Sequence, residues 1–339
     1  MQTETDNMLV SMFSRMLHKQ HPLSYARARH SLDEPAHAAM WTQLAEGGWL
    51  EIGNGGSGEG DGAEVLGIGE TLGQTLLTLP LGFCAFVLRP LGEAVPELLD
   101  SGTMLPLDAF PAAGRIDTGN SDCPLVDYHG SRAQYYRLTP HNSKWDTWIL
   151  RRYAGENIRV IEGLDGCIAL GQLPEAPPAA ESVFALPPQQ MAALLRVALA
   201  VDLAEMLGAA SASLDMAIAY AKERRQFGRL IGQYQAIKHP LANAWIALDN
   251  GRYAVRKLLG KTAASRSPSG NGIEQTANRL VTSAATQATK LTIQVHSGIG
   301  FAWEHDAHLF LKRVYRQASR TRGLAGMLGR VSSAVAVGN

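Results

Sequence analysis

Leu195, Leu199, Leu203, Met206, Ala210, Leu214, Ala217 and Ala221 follow one another in steps of three and four for roughly seven helical turns. So long an apolar stripe must be covered along its length, which demands other helices beside it. Ile273, Ala277, Leu280, Ala284, Ala288, Leu291 and Val295 repeat the pattern. Gln235 to Leu259 can form a helix between the two, with Pro240 predicted to kink it or delay its start. Ser267 to Gly272, reading SPSGNG, is the connecting loop. Small residues crowd these stripes and let backbones approach closely, so residues 185–339 are predicted to be a tight helical bundle.

The preceding chain has two characters. Over residues 1–88, segments such as NMLVSMFSRMLH and HAAMWTQLAEGGWL carry the helical period and predict short helices. Over 89–184, prolines at 90, 96, 106, 111, 124, 140, 174, 177 and 178 exclude long helices. Strand-like pieces there are limited to Trp145 to Leu150 and Ile158 to Ile161. The expected fold class is α+β and mainly α: an N-terminal helical domain, a small degenerate central β-domain and a C-terminal four-helix bundle.

Composition narrows the setting. Lys plus Arg and Asp plus Glu number 31 each in 339 residues, so no overall field attracts nucleic acid. Cys84, Cys123 and Cys167 have neither zinc-site spacing nor disulfide density, which points to a reducing cytoplasm. The N-terminus, MQTETDNMLV, lacks the basic and apolar pattern of a secretory signal. Met191 to Met206 is interrupted by Arg196, Asp202 and Glu205, so no membrane span is expected.

Several motifs have bland readings. Gly53 to Gly58 has the letters of a dinucleotide fingerprint but no strand before it, and is read as a loop between helices. His18 with His21, and Glu304 with His305 and His308, lack further metal ligands and are read as surface histidines and a helix-start glutamate. No Gly-x-Ser-x-Gly is present. Lys222 to Arg229, reading KERRQFGR, suits a helix end, with cations on the negative pole and Gly228 at the C′ position. An arginine there can equally fork onto a phosphate beside an exposed Phe227. Gln294 to Phe301, reading QVHSGIGF, is either a glycine stop or a backbone left bare for a ligand to approach the amides of Ser297 to Gly300.

Tyr220 to Gly232 followed by Gln235 to Asn243 resembles the signature of the flavin-dependent acyl-CoA dehydrogenases, and Gln294 to Phe301 with Glu304 resembles that family's second signature. Trp41 to Gly48 and Gly67 to Pro80 are similar to its N-terminal helical domain. The resemblance is specific over about 200 to 315 and weak over 89–184. It implies FAD shared across a subunit interface, with Arg224, Gln226, Phe227, Gln294 and Gly298 contacting the pyrophosphate and adenosine end of a flavin held mainly by the neighbouring subunit. It further implies an acyl-CoA substrate oxidised to a trans-2-enoyl-CoA and electrons passed to an electron-transferring flavoprotein.

In that family a glutamate removes the substrate α-proton while the β-hydrogen leaves as hydride. The usual base position, twenty residues beyond Phe301, is Thr321 here, and the alternative position, twenty-nine before Phe227, is Ala198. Asp202 and Glu205 share the helical face of Ala198 and are candidates for a displaced base, with Glu205 otherwise an ordinary acid on a partly exposed face. The family's Thr-Glu-x-x-Gly-Ser-Asp stretch is absent, and in Trp148-Ile149-Leu150 a leucine replaces the hydroxyl residue of its second flavin-ring motif. The expectation is a shortened subunit of a heteromeric acyl-CoA dehydrogenase, of the kind that shortens steroid side chains, its base and flavin-ring pocket supplied by a full-length partner subunit. The alternatives are a self-sufficient homo-oligomeric dehydrogenase using Glu205 or Asp202, and a non-enzymatic assembly subunit.

Overall fold

The structure, a computed structural model, describes residues 2–52, 62–105, 112–116, 125–175, 177–260 and 272–337. Gly53 to Gly58, Cys123 and most of the SPSGNG loop lie outside the described residues. Helices α1 (Gln2–Gln20), α2 (Leu23–Arg27), α3 (Pro35–Glu46) and α4 (Ala63–Gln74) come first. A helical run follows through α5 (Leu81–Phe83), a π-turn (Cys84–Leu88), α6 (Arg89–Ala94) and α7 (Glu97–Asp100). The last two helices fall in a stretch expected to hold strands and loops. Pro90 and Pro96 cause no break there, because one sits in the first turn of α6 and the other immediately precedes α7.

Seven strands follow: β1 (Ala112–Ile116), β2 (Leu125–Tyr128), β3 (Gln134–Pro140), β4 (Thr147–Ala154), β5 (Arg159–Ile161), β6 (Ala169–Gln172) and β7 (Ala180–Ala185). One sheet has the order β1-β3-β4-β7, with β1 parallel to β3 and the other pairs antiparallel, and a second has the antiparallel order β2-β6-β5. Both predicted strand pieces are present, Trp145 to Leu150 contributing to β4 and Ile158 to Ile161 to β5. Trp148 stands fully buried at the start of β4, opposite Pro140 of β3 and Phe184 of β7.

The C-terminal bundle comprises α8 (Pro188–Glu223), α9 (Gln235–Leu259), α10 (Ile273–His296) and α11 (Ala307–Val337). In its middle α8 is buried on every face, as a helix enclosed by α4, α9, α10 and α11 must be. Helix α9 begins at Gln235 with Pro240 inside it, so the expected delay does not occur. The whole is mainly helical with small sheets, the α+β class expected.

The backbones of α4 and α8 touch. A Cβ added to Gly208 would lie 1.9 Å from the Glu70 carbonyl oxygen, and one added to Gly73 would lie 1.8 Å from that of Glu205. Only glycine permits this crossing, and the crossing places the turn of α8 that carries Asp202 and Glu205 against the end of α11 that carries arginines.

Candidate functional site

Helix α8 ends at Glu223, where Arg224 turns extended, and the chain then forms a small hairpin from β8 (Arg225–Gln226) and β9 (Arg229–Leu230). Phe227 and Gly228 make its turn with φ of 50° and 81°, the left-handed pair that a type I′ turn requires. Gly228 therefore serves the hairpin and not the helix C′ position predicted for it. The Tyr234 hydroxyl donates to the Gln226 carbonyl at 3.1 Å, and the Arg229 guanidinium lies 3.9 Å over the Tyr234 ring. Braced in this way, the hairpin presents Arg224, Gln226 and Phe227 to solvent, Phe227 with 92% of its surface exposed.

The second predicted segment lies at the end of α10. Gln294 and Gly298 are exposed, and a Cβ at Gly298 would meet no atom within 4 Å, so the backbone there is open to approach. Tyr220, in the last turn of α8, stacks on the buried ring of His296 at 4.5 Å between centroids, which ties the base of the hairpin to the end of α10. The structure thus brings Arg224, Gln226, Phe227, Gln294 and Gly298 to neighbouring ends of two packed helices.

Neither predicted base position carries an acid. Thr321 is fully buried, its hydroxyl turned to the Ala318 carbonyl of its own helix, and Ala198 is part of the wall of a cavity of about 440 Å³ between α8, α11 and the strands. Asp202 opens onto the same cavity, and with Glu205 it borders a smaller chamber of about 50 Å³ that also reaches His129. Glu205 is partly exposed, as expected, but it is ion-paired with the buried Arg313 at 3.0 Å.

Three arginines on one face of α11 organise this interior, and the sequence reading missed them. Arg313 donates from Nε to Asp165 at 2.6 Å and reaches the Leu76 and Leu77 carbonyls. Arg316 pairs with Asp127 and, at 3.0 Å, with Asp165. Arg320 pairs with Asp127 at 3.1 Å and with Asp202 at 3.0 Å. Burial alone would raise the Asp127 and Asp165 carboxyls, but the guanidiniums outweigh it and hold both below the usual carboxylate range. Asp202 goes the other way. Burial dominates there, Arg320 offsets it only in part, Glu205 and Asp127 add repulsion, and the carboxyl is pushed up to about 6.

The expected surface histidines divide. His18 is exposed, whereas His21 and His308 are buried, His21 bonding Thr78 and His308 bonding the Trp303 carbonyl. Among the described residues no three His, Cys, Asp or Glu side chains converge on a metal position. None of the described helices is long and apolar enough to cross a membrane.

Residues 190–329 match the family model for the C-terminal domain of acyl-CoA dehydrogenases. Acyl-CoA dehydrogenase IpdE2 of Mycolicibacterium smegmatis is 37% identical over 115 residues, 34% of this chain and 35% of that protein. FadE34 of Mycobacterium tuberculosis is 38% identical over 126 residues, 37% of this chain and 17% of that protein. The matches therefore span about a third or less of these relatives' length. By fold, the chain is similar over 100% of its length, and 99% of the other chain, to a Tcur3481-Tcur3483 steroid acyl-CoA dehydrogenase variant, with TM-score 0.69 and 20% identity. It is likewise similar over 97% of its length, and 96% of the other chain, to the ChsE4-ChsE5 complex from Mycobacterium tuberculosis, with TM-score 0.66 and 18% identity.

Proposed function

We propose that the chain is a member of the acyl-CoA dehydrogenase family, on the match of residues 190–329 to that family's C-terminal domain and the shared fold, and that it is the base-less subunit of a heteromeric acyl-CoA dehydrogenase. It contributes a half-site for the phosphate and adenosine end of an FAD held mainly by a full-length partner subunit. The active complex oxidises an acyl-CoA, of the steroid side-chain or fatty acyl type, to its trans-2-enoyl-CoA in the cytoplasm and passes the electrons to an electron-transferring flavoprotein.

One observation carries this reading: each carboxylate near the expected base positions is ion-paired to an arginine of α11. A proton acceptor must be free to meet its substrate, and Asp127, Asp165, Asp202 and Glu205 are each engaged with arginines of α11, of which Arg313 is fully buried. The hairpin and the end of α10 fit the other half of the task. Arg224 offers a guanidinium fork for a phosphate, the open backbone at Gly298 permits close approach, and the bare Phe227 ring can cover an apolar edge of the nucleotide. When bound, FAD supplies the hydride acceptor; this chain's residues bind and orient its far end.

The test is to purify the chain alone and with a full-length relative, then measure flavin after gel filtration and turnover of the complex. The lone chain should retain little flavin, the pair should retain it stoichiometrically, and Asp202→Asn or Glu205→Gln in this chain should leave turnover within about tenfold. Stoichiometric flavin on the lone chain would overturn the proposal. A second reading, that Asp202 is a displaced base of a self-sufficient enzyme, is favoured by its place on the cavity and its raised carboxyl. It predicts that Asp202→Asn abolishes turnover, a loss of about 10² to 10⁴, with flavin content and assembly unchanged.

A further inference from the structure

We infer that the groove between α10 and α11 on the outer side of the bundle is a docking surface for an acidic helix of a second, different protein chain. That chain's identity as the flavin-bearing partner rests on the subunit role proposed above, whereas the charge of its docking helix does not.

Charge in α10 and α11 is one-sided. Helix α11 contains no aspartate or glutamate, and the one acid of α10, Glu274, is buried in its first turn. Arg313, Arg316 and Arg320 engage acids of other elements on the inner side of α11. Arg279, Lys290 and Arg322 are different: all three are exposed, and among the described residues no carboxylate pairs with any of them. In a chain with 31 cations and 31 anions this makes a local positive field without an overall one.

These three cations border a groove of about 490 Å³. The two helices run antiparallel there, with Lys290 Nζ 5.7 Å over the Tyr315 ring and the Gln275 side chain against Gly329. Arg322 therefore stands level with Thr282 and Ser283. At 1.5 Å per residue it lies about 6 Å along the axis from Arg279 and about 10 Å from Lys290. Ala318 is too small to fill the space between the helices. Thr282 donates to Asn278 Oδ1 at 3.4 Å and Gln287 Nε2 to the Ser283 hydroxyl at 3.0 Å, so these side chains tie α10 to itself and leave the groove open.

A trough between two antiparallel helices is the seat that a third helix takes in a bundle. Cations spread over about 16 Å cannot all reach one phosphate group, but carboxylates at i, i+4 and i+11 of a docked helix stand at the same intervals. Leu280, 45% exposed beside Arg279, offers such a helix an apolar contact. A second copy of this chain meeting the groove with its own would set cations against cations, so the surface selects a chain of opposite charge. Continuity points to which chain that is. The exposed edge of α10 runs on from Lys290 to Gln294, one turn away, where the flavin of the partner subunit is proposed to arrive.

Two measurements at neutral pH test this. The first needs no partner. A dye-labelled, alanine- and glutamine-rich helical peptide of about 20 residues, with glutamates at i, i+4 and i+11, is titrated against the purified chain. A peptide with glutamine at those positions is the comparison, and inorganic tripolyphosphate the competitor. The acidic peptide should bind at least about tenfold tighter than the neutral one, and Arg279→Glu, Lys290→Glu and Arg322→Glu combined should abolish that preference. Arg279→Gln with Arg322→Gln, which removes charge without reversing it, serves should the reversed chain fail to fold. Arg15→Glu, Lys19→Glu and Lys144→Glu combined change the net charge equally at exposed positions elsewhere and should leave the preference intact. The second measurement uses the complex with a full-length relative. The three groove changes should weaken pairing by about 100-fold or more, and raising salt from about 0.05 M to about 0.5 M should weaken the unaltered pair by about tenfold. No preference for the acidic peptide, a preference that survives the groove changes, or a pair indifferent to them would each overturn the inference. Displacement of the acidic peptide by tripolyphosphate at equal concentration would overturn it too, in favour of a small phosphate ligand. If the peptide preference holds but no relative pairs with the chain, the subunit role fails and the docking surface stands.

Discussion

Arg224 and Arg225 are adjacent and both exposed, yet the backbone assigns them different directions. Arg224 closes α8, its amide donating to the Tyr220 carbonyl at 2.9 Å and its carbonyl accepting from Ile231 at 2.9 Å, whereas Arg225 opens β8 opposite Leu230. Successive extended residues point to opposite sides. Under the proposed function, Arg224→Ala should weaken flavin binding by the assembled complex by about 1.5 to 3 kcal/mol, the scale of a charge-assisted hydrogen bond, and Arg225→Ala by much less. Flavin titration of the two variant complexes checks this, and equal losses would return the pair to an ordinary helix end. Ser297 supplies a second prediction at this scale. It caps α10 with φ of 57° and ψ of −138°, a conformation that costs a residue with a Cβ about 1 to 3 kcal/mol. Ser297→Gly should relieve that strain and, after the entropy cost of a glycine, raise stability by about 1 kcal/mol in urea unfolding.

Among the elements, the crossing of α4 and α8 is the least tolerant. With the Glu70 carbonyl 1.9 Å from any Cβ at position 208, Gly208→Ala must push the helices apart and draw Glu205 away from Arg313. A loss of about 3 kcal/mol or more, at the upper end for overpacking, is expected in thermal or urea unfolding of the purified variant. The helices themselves were legible, since the stripe at Leu195 is buried and that at Ile273 is covered at Ala277, Ala284, Ala288 and Val295, although Leu280 in it is exposed, and small residues announce close packing. The arginine face of α11 was not, because Arg313, Arg316 and Arg320 run from the core to the surface where a packed helix ordinarily shows aliphatic residues. Their acids come from α8, from β2 and from the loop holding Asp165, separated from α11 by more than a hundred positions. A signal was nevertheless available: the spacing 313, 316, 320 keeps one helical face, and α11 contains no acid to pair with it. The hairpin was misread for a related reason. A cationic run ending in glycine satisfies helix-end chemistry as well as turn chemistry, and only the left-handed φ of Phe227 beside that of Gly228 separates them.

At the scale of the whole molecule the charges balance, 31 against 31, but the interior does not respond to pH symmetrically. Thr78 gathers three imidazoles: its hydroxyl lies 3.1 Å from His21 Nε2 and 3.0 Å from His37 Nε2, and its carbonyl accepts from His129 Nδ1 at 2.6 Å. Burial is the main cause that pushes His21 and His129 down to about 4, and it lowers His37 as well. The unfolded chain therefore binds protons on these histidines below about 6.5 while the folded chain resists them to about 4, so their contribution to stability is lost as the pH falls through that window. His21 and His129 should each cost roughly 3 kcal/mol by pH 4. Asp202 acts in the opposite direction. Its carboxyl titrates near 6 when folded and lower when unfolded, so acidification from about 6 toward 4 relieves a penalty. Asp127 and Asp165, held low by their arginines, withdraw their support only below about 4. Stability should therefore be flat from pH 8 to about 6.5, decline toward pH 4 with Asp202 moderating the slope, and collapse below that. Urea midpoints across this range provide the measurement. His129→Asn should flatten the decline between 6.5 and 4, and Asp202→Asn should steepen it once its own loss at neutral pH is subtracted. A profile in which His129→Asn leaves the slope unchanged would mean that the histidines around Thr78 accept protons without unfolding the chain.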